Sequence, residues 1–197
     1  MKVIGLCGQS GAGKGLVCSF FEELNITCID TDKVYHNIIS IDSDCTKELV
    51  ALFGNDIYAN PGIDRKALRK VVFSSDENLK KLNAITHRHI LENVREQIKT
   101  IKSSAASVGI IIDAPLLFES GFDKECDATI AVITDAESKI QRIINRDNIP
   151  REVAQIRISS QMKDDDLINR CTYVIVNDST EEDLKDKVYK LQQIIFD

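Results

Sequence analysis

The chain has 197 residues, of which 43% are hydrophobic and 28% charged, and its formal net charge is −6. These values are typical of a globular protein with one sizeable core, and we expect one α/β domain with an insertion. A binder of nucleic acid or of membrane surfaces needs a clustered basic face, which the sequence lacks. We therefore expect small-molecule partners and no nucleic acid or membrane; the sequence does not specify the oligomeric state, and a monomer is favoured.

Six cysteines are spread along the chain without a C-x-x-C pair and lie mostly in apolar stretches. This spacing predicts buried thiols in a reducing compartment. No apolar run approaches 18 residues, and the stretch before Gly8 is too short for a signal-peptide core, so we expect a cytoplasmic protein. The six are Cys7, Cys18, Cys28, Cys45, Cys126 and Cys171.

The first predicted element is a short apolar strand at residues 2–7, which ends in a glycine-rich turn before a helical pattern at residues 14–24. Residues 8–14 read Gly-Gln-Ser-Gly-Ala-Gly-Lys and match a phosphate-binding loop. Glycines let successive N–H groups point inward, while the helix N-terminus and Lys14 add positive charge. The alternative is a glycine-rich turn with a solvated lysine. Gly15 stands where the pattern has the hydroxyl that ligates Mg²⁺.

A second, short strand is predicted at residues 27–29, followed by acidic residues and a helical pattern. Asp30 or Thr31 is placed to cap that helix. Ligands of open α/β sheets collect at the carboxyl ends of the strands, so we expect these acids beside the phosphate-binding loop. Asp32 is then a candidate general base; capping and turn formation alone are the alternative.

From residue 31 to residue 104 the pattern is helical, at residues 45–53, 65–73 and 77–101, with a turn at residues 60–62. This predicts a helical insertion between the second and third strands. Its basic residues are individually typical of solvated helix faces, but together they could hold an anionic acceptor. They are Arg65, Lys66, Arg69, His87 and Arg88.

The third predicted strand, residues 108–112, is an apolar run suited to the centre of a parallel sheet. Asp113 ends it where nucleotide-binding proteins of this type hold Mg²⁺ or its waters; a plain loop acid is the alternative. A fourth strand is predicted at residues 128–133, a fifth at 173–176, and a last helix at 180–196.

Between the last two strands, a helix is predicted at residues 138–147, and a second helix runs from Pro150 to Met162. Arg142 and Arg146 lie four residues apart, on one face of the first helix. Paired arginines over a nucleotide clamp phosphates or stack on the base, as mobile lids do. An exposed basic helix face is the alternative.

Segments from nearly the whole chain together resemble the dephospho-coenzyme A kinase family. The later segment Arg142-Ile143-Ile144-Asn145-Arg146-Asp147, with Arg157, Gln161 and Asn177, is similar to the lid and nucleotide-binding end of that family. The earlier segments are the glycine-rich loop, Ile29-Asp30-Thr31-Asp32, Asp64-Arg65-Lys66-Ala67-Leu68, Leu82-Asn83-Ala84-Ile85-Thr86-His87 and Asp113-Ala114-Pro115-Leu116-Leu117-Phe118-Glu119.

The resemblance implies transfer of the ATP γ-phosphoryl group to the ribose 3′-hydroxyl of dephospho-coenzyme A, with Mg²⁺, as the last step of coenzyme A synthesis. The implied fold is an α/β P-loop kinase core, with a parallel five-stranded sheet flanked by helices, a helical acceptor-binding insertion and a helical lid. The core would comprise residues 1–31 and 105–197, the insertion residues 32–104, and the lid about residues 147–170.

The resemblance also implies roles for individual residues. Asp32, Lys14 and Arg142 would be catalytic, and Asp32 and Asp113 would hold the metal, mostly through water. The ATP-binding residues would be Gly8, Gln9, Ser10, Gly11, Ala12, Gly13, Lys14, Gly15, Arg142, Arg146 and Asn177. The acceptor-binding residues would be Asp32, Arg65, His87, Pro115, Leu116, Leu117 and Glu119.

Several positions depart from the family pattern. Besides Gly15, Arg88 replaces the usual proline after the histidine, Leu167 replaces a lysine, and Cys171-Thr172 replaces an alanine-aspartate pair. Two other functions therefore stay open at this point: a catalytically weak nucleotide-binding regulatory protein on the same fold, and a kinase of the nucleoside monophosphate type.

Overall fold

The computed structural model describes residues 1–72, 75–104 and 106–196. Phe73, at the end of one predicted helix, and Ala105 and Asp197, at predicted domain boundaries, lie outside the described residues. The chain divides into two compact units. The core unit comprises Met1–Ile29 and Ile101–Asp197, and the helical unit comprises Asp30–Thr100.

Five strands form one sheet within the described residues, and they confirm the predicted parallel five-stranded architecture. The strand order is β2-β3-β1-β4-β5, which puts β1 at the centre. Strand β1 pairs in parallel with β3 and β4, and β4 pairs in parallel with β5. The strands are β1 (Val3–Cys7), β2 (Ile26–Asp30), β3 (Gly109–Asp113), β4 (Ala128–Ile133) and β5 (Tyr173–Val176).

Helices connect and flank these strands. The glycine loop, residues 8–13, joins β1 to the first helix. The helices are α1 (Lys14–Glu23), α2 (Thr31–Ile39), α3 (Asp44–Phe53), α4 (Arg65–Val72), α5 (Asp76–Ser104), α6 (Ala136–Asp147), α7 (Arg151–Ser159), α8 (Asp164–Arg170) and α9 (Glu181–Phe196).

The hydrophobic core of the core unit lies between the sheet and helices α1 and α9. Every residue of β1 is buried, as expected for a central strand covered on both faces. Val17 and Phe21 of α1 pack in the same cluster as Leu184 and Val188 of α9. Burial of these side chains positions the carboxyl end of β1, where the glycine loop begins.

The helical unit has its own core and capped helices. Asp30 caps α2 by accepting a hydrogen bond from the Lys33 backbone N–H at 3.0 Å, which decides between the two predicted caps. Ser43 caps α3 in the same way, through the Thr46 N–H at 3.1 Å. The buried side chains of this unit are Ile39, Cys45, Leu49, Ile57, Ile63, Leu68 and Val72.

Most predicted element boundaries differ from the observed ones by no more than three residues, as at the start of α6, and two differences affect β3 and α7. Strand β3 begins at Gly109, and Val108 before it is 51% exposed. The predicted helix from Pro150 to Met162 ends at Ser159, and the short helix α8 follows. Tertiary hydrogen bonds cause this break, because the Gln9 side chain donates to the carbonyl groups of Ile158 and Met162.

Three of the six cysteines are less buried than predicted. Cys7, Cys18 and Cys45 are buried, whereas Cys28, Cys126 and Cys171 are partly exposed, and all six are free thiols. None of the helices in the described part of the chain combines the length and the apolar character needed to cross a membrane.

Strand β3, whose first four residues are buried, provides a test of the core. Ile111 is 0% exposed, so Ile111→Ala should lower the free energy of unfolding by about 2–5 kcal/mol through lost burial and a cavity. Urea denaturation measures this loss. Ile194→Ala is the control, since Ile194 is 66% exposed on α9 and should change stability by less than about 0.5 kcal/mol. Equal losses in the two variants would contradict the assignment of β3 to the core.

Candidate functional site

The glycine loop is packed so closely that a side chain at Gly11 or Gly13 would overlap a neighbouring element. Gly11 and Gly13 have φ angles of 81° and 100°, in the left-handed region that favours glycine. A Cβ atom on Gly11 would lie 2.6 Å from the carbonyl oxygen of Lys139 on α6. A Cβ atom on Gly13 would overlap the side-chain amide of Asn177. Close packing at Gly11 and Gly13 therefore restricts the conformation of the loop backbone.

Positive charge is concentrated where this loop meets α1. Gly13 is the N-cap residue of α1, so the free N–H groups of the first turn directly follow the loop. The Nζ atom of Lys14 donates a hydrogen bond to the Gly8 carbonyl oxygen at 3.0 Å, which keeps the ammonium group at the loop. A helix N-terminus with an adjacent lysine is an arrangement that binds phosphate groups.

Two arginines of α6 face the loop from the other side. Arg142 Nη1 donates to the carbonyl oxygens of Gly11 and Ala12, at 3.2 and 3.4 Å. Arg146 Nη2 lies 3.4 Å from the hydroxyl oxygen of Ser10. Both guanidinium groups are exposed, so the structure brings the two predicted arginines together at the loop with their charge accessible to an anion.

Asn177, which follows β5, contacts the backbone of the glycine loop. Its side chain is 5% exposed, and Nδ2 donates to the Ala12 carbonyl oxygen at 2.8 Å. Its backbone N–H donates a hydrogen bond to the carbonyl oxygen of Ile133 at the end of β4. Its own carbonyl oxygen accepts a hydrogen bond from Thr134 Oγ1. The predicted nucleotide-site asparagine therefore contacts the loop backbone, and β4 fixes its position.

The segment between α7 and α8 also contacts the loop. The Ser10 N–H donates to Gln161 Oε1 at 2.8 Å. Gln9 is 6% exposed, and its Nε2 donates to the carbonyl oxygen of Met162 at 3.0 Å. The sequence showed no local signal for these contacts, because they join residues about 150 positions apart.

Asp113 ends β3 next to the start of the glycine loop. It pairs in register with Leu6 of β1, and the following Ala114 N–H donates to the Leu6 carbonyl oxygen at 3.0 Å. The carboxylate is half-buried. Carboxylate oxygens at the carboxyl edge of the sheet are suitable ligands for Mg²⁺ or its waters, so this residue fits the predicted metal.

The segment after Asp113 forms one side of a narrow cleft. Leu117 is fully buried and packs against Gly5 of β1, so its side chain belongs to the core and not to a surface site. The Arg170 guanidinium of α8 lies 4.1 Å from the centre of the Phe118 ring, a cation–π contact. The cleft is lined by Gly8, Gln9, Pro115, Phe118, Glu119, Gln161, Met162 and Leu167.

One acidic residue forms ion pairs with two arginines near the glycine loop. Asp147, at the end of α6, accepts hydrogen bonds from Arg146 and pairs with Arg157 of α7. These guanidinium groups, Arg146 first and then Arg157, lower the pKa of Asp147 to about 2. Asp147 therefore stays ionised at neutral pH and limits the orientations available to Arg146.

Two cysteines lie at the base of the loop. The Sγ atoms of Cys7, the last residue of β1, and Cys171 are 3.4 Å apart. This hydrogen bond, followed by burial, raises the pKa of the Cys7 thiol, while the same bond lowers the pKa of Cys171. Cys7 therefore stays a neutral thiol where the chain enters the glycine loop.

In the helical unit, Asp32 lies exposed in the first turn of α2. Tyr35, one turn later on α2, is near Arg65 and Arg69 of α4. Burial raises the pKa of Tyr35, and the charges of these two arginines act in the opposite direction. The structure thus brings the predicted residue Arg65 close to the helix that carries Asp32.

The basic residues of α5 are not equivalent. Arg88 donates to Glu48 of α3, and His89 Nε2 lies 3.2 Å from the other oxygen of the same carboxylate. These two residues join α5 to α3, and sequence analysis missed the role of His89. His87 is half-buried in the same helix. Arg88 is exposed, and its contact in the structure is the ion pair with Glu48 that connects α5 to α3.

Comparisons with known proteins point to one family. The family model described as dephospho-CoA kinase matches residues 2–183. The dephospho-CoA kinase of Fusobacterium nucleatum is 39% identical over 196 residues, which cover 99% of this chain and 99% of that protein. The dephospho-CoA kinase of Lactobacillus johnsonii is 35% identical over 193 residues, covering 98% of this chain and 97% of that protein.

Solved structures share the fold of this chain. A crystal structure of a Thermus thermophilus protein has a TM-score of 0.84 at 26% identity and covers 98% of this chain and 97% of that chain. The dephospho-CoA kinase from Campylobacter jejuni has a TM-score of 0.72 at 25% identity, with 98% and 96% coverage. A shikimate kinase from Acinetobacter baumannii, at 16% identity and a TM-score of 0.53, shows the kinase fold alone.

The close contact between Gly13 and Asn177 provides a stability test. Gly13→Ala should cost about 1–2 kcal/mol for the left-handed backbone. The new Cβ must also displace Asn177 from Ala12. Gly121→Ala is the matched control, because Gly121 also has a positive φ, 75°, but a Cβ there would meet no atom within 4 Å. Thermal unfolding should show the larger loss for Gly13→Ala; equal losses would mean that Asn177 is not held against the loop.

Proposed function

The chain belongs to the dephospho-CoA kinase family, and we propose that it transfers the γ-phosphoryl group of ATP to the ribose 3′-hydroxyl of dephospho-coenzyme A. The products are coenzyme A and ADP, and this is the last step of coenzyme A synthesis. The observation that carries the role of ATP is the glycine loop with Lys14, Arg142 and Arg146 around it. The family match over residues 2–183 carries the acceptor. A loop of backbone N–H groups beside three cations matches a polyphosphate.

Phosphoryl transfer depends on positioning and charge stabilisation more than on covalent chemistry from the protein. The loop from Gly8 to Gly13 would fix the β- and γ-phosphates through its N–H groups. Lys14 and Arg142 would stabilise the charge on the transferred group, and Arg146 would bind the phosphates from the side of Ser10. Donors that are already in place stabilise a transition state without reorganisation, and the hydrogen bonds behind the loop support this role.

On the acceptor side, we propose that Asp32 takes the proton of the ribose 3′-hydroxyl. The hydroxyl oxygen then forms a bond to the γ-phosphorus as the bond from that phosphorus to ADP breaks. Asp32 is exposed in a helical turn, and the cap function there belongs to Asp30. Arg65 and His87, with Pro115, Leu116 and Glu119, would contact the acceptor. The support for these roles is the match to the family pattern.

We propose Mg²⁺ as the metal that accompanies ATP, with Asp113 and Asp32 as its protein partners, mostly through water. Magnesium commonly retains several waters, so a site with few direct protein ligands is sufficient. When bound, the ion would neutralise charge on the phosphate oxygens. Gly15 offers no hydroxyl to it.

The two units would bind different substrates. We propose that the core unit binds ATP, that the helical unit binds the acceptor, and that residues 147–170, with α7 and α8, act as a lid. Six free cysteines support a reducing, cytoplasmic location. We propose a monomer that needs no nucleic acid or membrane partner, in line with the net charge of −6.

The activity is tested by ADP release with dephospho-coenzyme A, compared with a panel of nucleosides, nucleoside monophosphates and shikimate. Dephospho-coenzyme A should give the highest kcat/KM. A higher value for a nucleoside monophosphate would establish the kinase of that type instead. ATP binding without ADP release on any acceptor would establish the weak regulatory protein. The comparisons with known proteins give no support to either alternative.

The proposed base gives a sharp prediction. Asp32→Asn should keep the ATP dissociation constant within a few-fold but lower kcat by about 10²–10⁴-fold, the usual contribution of a general base. Steady-state kinetics and calorimetry measure the two quantities. Asp44→Asn is the matched control, because Asp44 is also an exposed aspartate in the first turn of a helix of the same unit. A loss of less than about tenfold for Asp32→Asn would remove Asp32 from the mechanism.

Gly15 provides a prediction about the metal. It lies in α1, and a Cβ atom there would meet nothing within 4 Å, so Gly15→Ser should fold normally. Serine is also the better helix former, by a few tenths of a kcal/mol. The added hydroxyl should lower the Mg²⁺ concentration needed for half-maximal rate at fixed ATP. Gly15→Ala is the control without a hydroxyl, and an identical Mg²⁺ dependence in both variants would mean that position 15 does not face the metal.

A further inference from the structure

A lysine is buried directly behind the glycine loop. The side chain of Lys139, on α6, is only 2% exposed. Burial of an ammonium group is unfavourable unless strong partners replace its water. The contacts of Lys14, Arg142 and Arg146 with the loop do not involve the charge of Lys139. Its burial therefore has a separate cause.

The partners of Lys139 come from the loop and from the segment after α7. Its Nζ atom donates to Gln9 Oε1 at 2.6 Å and pairs with Asp164 in the first turn of α8. The amide nitrogen of Gln9 in turn donates to the carbonyl oxygens of Met162 and Ile158, at 3.0 and 3.4 Å. One ammonium group thus connects the loop, α6, the end of α7 and the start of α8.

The backbone makes the same connection. Gly11 lies against the Lys139 carbonyl oxygen with no room for a Cβ atom. Between Gln9 and Gly11, the Ser10 N–H donates to Gln161. Three successive loop residues therefore contact α6 or the α7–α8 connection, and the Lys139 side chain supplies the charged contact among them.

We propose that Lys139 is a positioning residue for phosphoryl transfer, which fixes the phosphate-binding conformation of the glycine loop through Gln9 and couples that conformation to the α7–α8 segment through Asp164. The inference rests on the proposed function for the nature of the ligand, ATP. Lys139 acts behind the loop and does not touch the phosphates.

Two contributions of Lys139 can be separated by mutation. Its charge compensates the carboxylate of Asp164, and removal of the lysine alone leaves that carboxylate unpaired. Its hydrogen bond holds Gln9, and no other residue described by the structure donates to Gln9 Oε1. Apolar replacement of both members of a buried ion pair commonly restores stability, whereas it cannot restore the bond to Gln9.

The experiment compares three variants of the full chain. Lys139→Met removes both contributions, and Lys139→Met with Asp164→Leu removes the ion pair as a unit. Lys190→Met is the matched control, because Lys190 is an exposed lysine on a helix, α9, of the same unit. Calorimetry measures the ATP dissociation constant without acceptor, differential scanning calorimetry measures Tm, and steady-state kinetics measure the KM of each substrate.

Lys139→Met should lower Tm and raise the ATP dissociation constant about tenfold or more, as expected for loss of a charged hydrogen bond. The KM for dephospho-coenzyme A should stay within about twofold, because the proposed role of Lys139 concerns the ATP-binding loop and not the acceptor. The double variant should recover much of the lost Tm but keep the weakened ATP binding. Lys190→Met should match the wild type in both Tm and ATP dissociation constant.

Two results would overturn the proposal. One is an unchanged ATP dissociation constant in Lys139→Met; the other is recovery of ATP affinity together with Tm in the double variant, which would leave Lys139 a purely stabilising role. If Lys139→Met does not fold, the double variant decides alone, since wild-type ATP affinity in it contradicts the proposal. Absence of ATP binding in the wild type would instead overturn the proposed function, and the inference with it.

Discussion

The structure depends on the close approach of one backbone segment to the elements behind it. The glycine loop lies on the carbonyl group of Lys139 and on the side chain of Asn177, at distances that exclude a Cβ atom at Gly11 and Gly13. Glycine loses more conformational entropy on folding than any other residue, so a glycine-rich loop is costly to order. What the protein gains is a set of N–H groups with fixed directions at the end of the central strand β1.

The groups that fix the loop come from distant parts of the sequence. The Gln161 side chain accepts a hydrogen bond from the loop backbone, and the Asn177 side chain donates one to it. Lys139 donates a hydrogen bond to the side chain of Gln9, the first residue of the loop after Gly8. These groups are brought to the loop only when β4, β5 and the helices between them have folded against β1. Preorganisation of the phosphate site is therefore a property of the whole core unit, and a satisfied polar network of this kind specifies one loop conformation.

Sequence analysis predicted the elements whose local pattern and tertiary environment agree. Strands β4 and β5 occur at the predicted residues, because continuous apolar runs suit a parallel sheet. The prediction failed where residues distant in the sequence determine the local structure. No glycine or proline marks the end of α7, which Gln9 helps to terminate through Met162. The sequence does not single out Lys139, because nothing local indicates that Gln9 and Asp164 bind its ammonium group.

The same distinction explains why Gly15 leaves the family resemblance intact. The conformation of the glycine loop is set by contacts of Gly11, Gly13 and Gln9 with the surrounding elements, and position 15 makes none of these contacts. A hydroxyl at that position would contribute to the metal and not to the fold. Folding therefore places no constraint on residue 15, whereas it constrains the loop glycines strictly. The geometry of the loop and the proposed contribution of residue 15 to metal binding are for that reason separable properties.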